Sequence, residues 1–116
     1  MSDSLDDLRA DLASFAADRD WEQFHSPKNL ASALIVEAAE LLEHFQWLNE
    51  DESRRLSGPR HEAVRQEIGD VLLYLIQLGA SLGIDPVAAA RAKLAINAVK
   101  YPVEKARGHS RKYNET

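Results

Sequence analysis

Apolar residues recur at helical spacing along nearly the whole chain, and no stretch alternates as a half-buried strand would. The spacing predicts a first helix from about Ser4 to Trp21, with Leu5, Leu8, Leu12, Phe15 and Ala16 on one side and Asp6 and Asp7 at its positive end. The segment from Glu22 to Pro27 breaks the pattern. Ser26 can cap a second helix and Pro27 can occupy its first position. That helix should reach about Leu48, with Leu30, Leu34, Ala38, Leu41, Phe45 and Leu48 as its stripe. Residues 49–58 read as a polar loop with room for a helical turn. Pro59 opens a third helix that ends near Leu82-Gly83, and Asp85-Pro86 starts a fourth that runs to about Lys100. From Val103 the chain is basic and polar. Four main helices with short connections imply an all-α bundle, one domain over residues 1–116.

The third helix carries apolar residues at 68, 71, 72, 73, 75, 76 and 78, wider than one stripe. A helix apolar around most of its circumference is normally covered on several sides. A four-helix monomer of 116 residues cannot easily do that, so a homo-oligomer with this helix at the interface is expected.

Composition narrows the function. The net charge of −5 argues against a nucleic-acid-binding surface, though not against one nucleotide held through a metal. The absence of cysteine removes disulfides, thiolate nucleophiles and zinc–cysteine sites. The acidic N-terminus lacks the regions of a signal peptide, and the most apolar run, Val71 to Ile84, is too short to span a bilayer. A soluble, cytoplasmic protein with no membrane partner is expected.

Two carboxylate pairs stand inside apolar helical runs: Glu37-Ala-Ala-Glu40 and Glu67-Ile-Gly-Asp70. The i,i+3 spacing puts both acids of a pair on one face, roughly 5–6 Å apart at Cβ. Two such helices packed together would gather four acids beside an apolar core, where like charges raise one another's pKa. A hard divalent cation removes that conflict, and Mg²⁺ is usually bound together with substrate phosphates. A single Glu-x-x-Glu is common on solvated faces, so the pattern leaves ordinary surface acids and a metal site both open. Tyr74 and Gln77 continue the row from Glu67 and Asp70; His44 continues the row of Glu37 and Glu40, and Glu43 lies partly around that helix. Gly69 weakens its helix and is small enough to admit a close neighbour.

Only Glu22-Gln-Phe-His25 matches the Glu-x-x-His motif, of which a di-iron bundle needs two. There is no glycine-rich phosphate loop, no His-Asp dipeptide and no nucleophile elbow. On the fourth helix Lys93, Asn97 and Lys100 share a face, readable as a solvated basic surface or as contacts to phosphate and to base or sugar. Trp21, Phe24 and Trp47 lie near helix ends, as core residues or as stacking platforms for a base. His25 reads as a capping or surface histidine, or as a substrate contact.

The strings Asp20-Trp-Glu-Gln-Phe-His25, Asn29 through Trp47 and Glu67-Ile-Gly-Asp-Val-Leu-Leu-Tyr-Leu75, with Lys93-Leu-Ala-Ile-Asn97, Lys100-Tyr-Pro102 and Ser110-Arg-Lys-Tyr113, resemble the MazG-like all-α nucleoside triphosphate pyrophosphohydrolases, most nearly their dCTP pyrophosphatase branch. The resemblance covers roughly residues 15–113. It implies a helical homodimer or homotetramer that uses Mg²⁺, with Mn²⁺ as a substitute, to hydrolyse a dNTP to dNMP and pyrophosphate. It implies metal ligands at Glu37, Glu40, Glu67 and Asp70, and nucleoside contacts at Trp21, His25, Trp47 and Tyr74. Lys93 and Asn97 match positions at phosphate and nucleoside, and Tyr101 joins them from a neighbouring subunit. Glu40 is the candidate to activate water and Lys93 to stabilise the leaving pyrophosphate. Val36-Glu37 stands where many members have consecutive glutamates, and Gly69 where serine is frequent. A non-catalytic, partner-binding protein with the same fold is the alternative from another class.

Overall fold

A computed structural model describes residues 4–115. α1 spans Leu5–Asp18, α2 Pro27–Glu43, α3 Glu50–Ser53, α4 Gly58–Ser81, α5 Pro86–Lys100 and α6 Val103–Ala106. Single 3₁₀ turns occupy Glu22–Phe24 and Tyr113–Glu115, and no strand occurs among the described residues.

The helix starts follow from side chains that satisfy otherwise unpaired backbone N–H groups. The Ser4 hydroxyl accepts from Asp7 N, Ser26 from Asn29 N and Ser57 from Arg60 N. Asp85 accepts from Val87 N and Ala88 N. The loop at residues 49–58 contains α3, started by a reciprocal capping box between Asn49 and Glu52.

The helix ends are where pattern and structure part. α2 ends at Glu43 rather than near Leu48, because the chain tightens into i→i+3 bonds such as Phe45 N to Leu42 O and Leu48 N to Phe45 O. The Arg60 guanidinium, far along the sequence, donates to the freed His44 carbonyl. α1 ends at Asp18, three residues earlier than expected. Asp20 takes a left-handed conformation, φ 54°, so that Asp20 N reaches Ala17 O and Trp21 N reaches Ala16 O. α4 closes the same way with Gly83 in the left-handed position and Ile84 N bonded to Gly79 O.

The chain divides into two compact units, the first ending at Ile84 and the second beginning at Asp85. In the first, α4 packs chiefly against α2 and also against α1. Its core is small: among the described residues the buried apolar side chains are Ala16 on α1, Leu30 on α2, and Val64 and Ile76 on α4. A Cβ added at Gly69 would meet nothing within 4 Å, so no neighbour within the chain uses the close approach that glycine permits. The second unit consists of α5, α6 and the tail. There Tyr101 meets Tyr113 edge-on with ring centroids 6.1 Å apart, and the Lys100 ammonium sits 5.0 Å from the centre of the Tyr113 ring.

Candidate metal centre and nucleotide cavity

The packing of α2 on α4 carries two acid pairs to one place. One carboxylate oxygen each from Glu37, Glu67 and Asp70 lies within 4.8 Å of the others. Glu37 and Glu67 are half-buried and Asp70 is exposed. The Oε2 atoms of Glu37 and Glu67 are buried and have no hydrogen-bond partner. Unpaired oxygens of this kind are rare, because a buried acceptor without a donor loses its hydration for nothing.

Electrostatics sharpens the point. Loss of solvent, then hydrogen bonding to Glu67 and Glu40 and their charges, lift the Glu37 carboxyl to about 7. Glu67 is also raised, first by loss of solvent and further by Glu40 and Asp70, while its bond with Glu37 pulls the other way. Glu37 therefore takes up a proton more readily than an ordinary carboxylate. A set of oxygens only, two of them orphaned, in a site that holds a proton near neutrality, fits a hard divalent cation in the proton's place.

The structure thus groups Glu37, Glu67 and Asp70 as the candidate ligands. Glu40 is half-buried, near enough to act on both Glu37 and Glu67 but not a member of that trio. Glu43, at the end of α2, is exposed.

Asp70 also belongs to the wall of a cavity of about 130 Å³, lined with it by Leu12, Phe15, Trp21, His25, Leu73, Tyr74 and Gln77. The left-handed Asp20 delivers Trp21 to that wall, where its ring meets Phe15 edge-on at 5.7 Å. The Arg19 guanidinium caps the other partner, 3.5 Å from the centre of the Phe15 ring. The 3₁₀ turn then carries the chain to His25, and the Asn29 side-chain amide donates to Phe24 O at 3.0 Å. The acid cluster and the aromatic cavity are contiguous through Asp70.

Three of the four residues expected around a nucleoside, Trp21, His25 and Tyr74, line that cavity. Trp47 does not; it lies in the turn after α2 and is 86% exposed. Lys93 and Asn97 on α5, and Tyr101 beyond it, belong to the second unit, with Lys93 exposed and Asn97 and Tyr101 half-buried. Leu12 and Phe15 read as core by spacing, yet they line the cavity, and Phe15 stays 45% exposed. Gln77 was visible only as the end of a polar row.

Residues 33–116 match the model of the MazG-like family. The chain is 45% identical over 114 residues to dCTP pyrophosphatase 1 of Homo sapiens, an alignment spanning 97% of this chain and 67% of that protein. It is 43% identical to dCTP pyrophosphatase 1 of Mus musculus over the same shares of each chain. The crystal structure of a pyrophosphatase from Archaeoglobus fulgidus superposes with a TM-score of 0.82 at 39% identity, covering 88% of this chain and 95% of that one. An all-helical unit with paired acids on packed α2 and α4, and these similarities along most of its length, place the chain in the MazG-like family.

Proposed function

We propose that this protein is a Mg²⁺-dependent nucleoside triphosphate pyrophosphohydrolase that converts a dNTP, dCTP or a modified dCTP first, to dNMP and pyrophosphate. The observation that carries the reading is the trio of carboxylates with orphaned oxygens opening through Asp70 onto an aromatic cavity. The relatives named dCTP pyrophosphatase 1 support the choice of nucleotide.

Glu37, Glu67 and Asp70 would hold the cation. When bound, Mg²⁺ neutralises charge on the phosphates and polarises them toward attack. Glu40 stands beside the trio without belonging to it, which suits a group that orients a water and takes its proton as oxygen attacks phosphorus. Water supplies the new oxygen on one product, the phosphoanhydride between the α- and β-phosphorus breaks, and its bridging oxygen leaves with the other product. The family resemblance alone offers Lys93 and Asn97 for phosphate and nucleoside, with Lys93 to stabilise negative charge on the phosphates or the leaving pyrophosphate. Trp21 and Tyr74 would flank the base; Trp47, outside the cavity, is assigned to the nucleoside by the family resemblance alone. Chemistry of this kind is mostly positioning and electrostatic stabilisation, and the site is built of parts that do both.

The same reading includes a homodimer or homotetramer. Ile68, Leu72 and Leu75 form an exposed apolar stripe on α4, and Ile35, Val36 and Leu42 are exposed on α2, the two helices that bear the acids. A second copy of the chain would cover such a surface, and monomeric proteins rarely leave one of this extent open.

Incubating the purified protein with Mg²⁺ and each dNTP in turn, with a pyrophosphate assay, tests the proposal. Release from dCTP, lost in EDTA, is expected. Release from no nucleotide would overturn it in favour of a non-catalytic binding protein.

A further inference from the structure

Three half-buried polar side chains, His25, Tyr74 and Gln77, line the aromatic cavity, and none of them has a side-chain hydrogen bond to any other described residue. Polar groups that converge unpaired on a concave apolar surface are the usual means of orienting a ligand. Gln77 has the most particular position. It borders this cavity and also the neighbouring one of about 140 Å³, so it stands at their junction with Leu12 and His25. On α4 it lies seven residues beyond Asp70, about 10 Å along the axis, with Tyr74 between them.

That layout sets the direction of a bound nucleotide. The phosphates are held at the Asp70 end, where the carboxylates converge. At the Gln77 end the one guanidinium among the described lining residues, Arg9, is paired with Asp6 at 3.2 Å. What remains for Gln77 is a neutral group with both donors and acceptors. The volume agrees, because a cavity of about 150 Å³ takes one benzene-sized ring.

We infer that the Gln77 carboxamide reads the hydrogen-bonding edge of a pyrimidine base in the cavity between Trp21 and Tyr74. This rests on the pyrophosphohydrolase reading for the direction of the nucleotide. The amide oxygen accepts from an exocyclic amino group and the amide nitrogen donates to the adjacent ring acceptor, the pair that cytosine presents. A base with the wrong edge leaves the amide or itself unpaired in a half-dry place, and that loss discriminates more strongly than ring size.

The experiment is a calorimetric titration of dCMP and dTMP, with Mg²⁺ present, into the wild type and Gln77→Leu, which keeps size and loses the amide. The melting temperature and far-ultraviolet dichroism of the variant check that it folds, and Gln77→Met is the second variant if the leucine does not. Expected is a loss of about tenfold or more in dCMP affinity with the ratio between the two nucleotides moving toward one. An unchanged affinity and ratio in a folded variant would overturn the inference, as would a wild type that binds neither nucleotide. Pyrophosphate release by the same wild-type sample is read separately. Turnover with an unchanged Gln77 variant removes this inference alone; selective dCMP binding without turnover removes the enzymatic reading alone.

Discussion

Around Asp70 the first unit is made from two helices and a concentration of like charge; around Trp21 it is made from three separated stretches of chain and almost no charge. The acid cluster is local in sequence, each pair spanning one helical turn, and it is electrostatically unfavourable as it stands. The cavity draws on α1, the turn at Glu22–Phe24 and α4, and apolar contact holds it together. The acid cluster has most to gain from a bound cation, whereas the cavity is held by apolar contact alone. The difference separates chemistry from selection: changes in the cluster should act on turnover, and changes in the cavity on nucleotide affinity.

The largest effect is expected from Asp70→Asn and Glu40→Gln, each lowering kcat by about a hundredfold or more with helical dichroism retained. Near-normal turnover in either would remove that residue from the chemistry. Glu37→Gln sharpens the comparison from the other side. It should also lose activity, yet raise the melting temperature of the metal-free protein, because it deletes a carboxylate from a crowd of them.

Trp21→Ala and Trp47→Ala come next. Stacking on an aromatic contributes about 1–3 kcal/mol, so KM should rise roughly five- to a hundredfold while kcat stays near the wild-type value. At 86% exposure Trp47 can be truncated with little effect on folding. Unchanged Michaelis constants across all nucleotides would break the assignment of these rings to the base.

A smaller effect, with a definite sign, follows from the raised Glu37 carboxyl. The Glu37 carboxyl is raised from 4.5 to about 7 in the folded chain, so the folded state holds the proton more tightly than the unfolded one. Stability from this group is fully present below about pH 4.5 and is lost as pH rises through 7. Thermal melts in EDTA should therefore fall between pH 5.5 and 8. With Mg²⁺ or Mn²⁺ the gain on adding metal should grow over the same interval, because cation and proton compete. A metal-independent pH profile would contradict the site. The smallest effect on chemistry should come from Ile68→Lys on the apolar stripe, which should lower the mass seen by light scattering; a wild type that is already monomeric at micromolar concentration would refute the assembly.

The same contrast explains what the sequence disclosed. The acid pairs were legible because i,i+3 spacing on an apolar helix needs no partner to be recognised, and so were the caps at Ser26 and Asp85. The close of α2 at Glu43 was not, since its freed carbonyl is taken by Arg60 from another helix. Nor was the turn that presents Trp21, because it relies on an aspartate in a backbone region where glycine is the usual signal, as at Gly83. Leu12 and Phe15 carried the right polarity for a core; only the packing of α1 on α4 reveals them as cavity wall. That Glu40 stands beside the trio rather than within it depends on side-chain placement that spacing cannot express.

Mn²⁺ binding followed by calorimetry at pH 6.5, with proton release measured in buffers of different ionisation enthalpy, tests the central claim most directly. The account predicts saturable binding, release of a fraction of a proton per ion, and loss of both in Glu67→Gln. Absence of saturable binding in the wild type, with or without nucleotide, would contradict it.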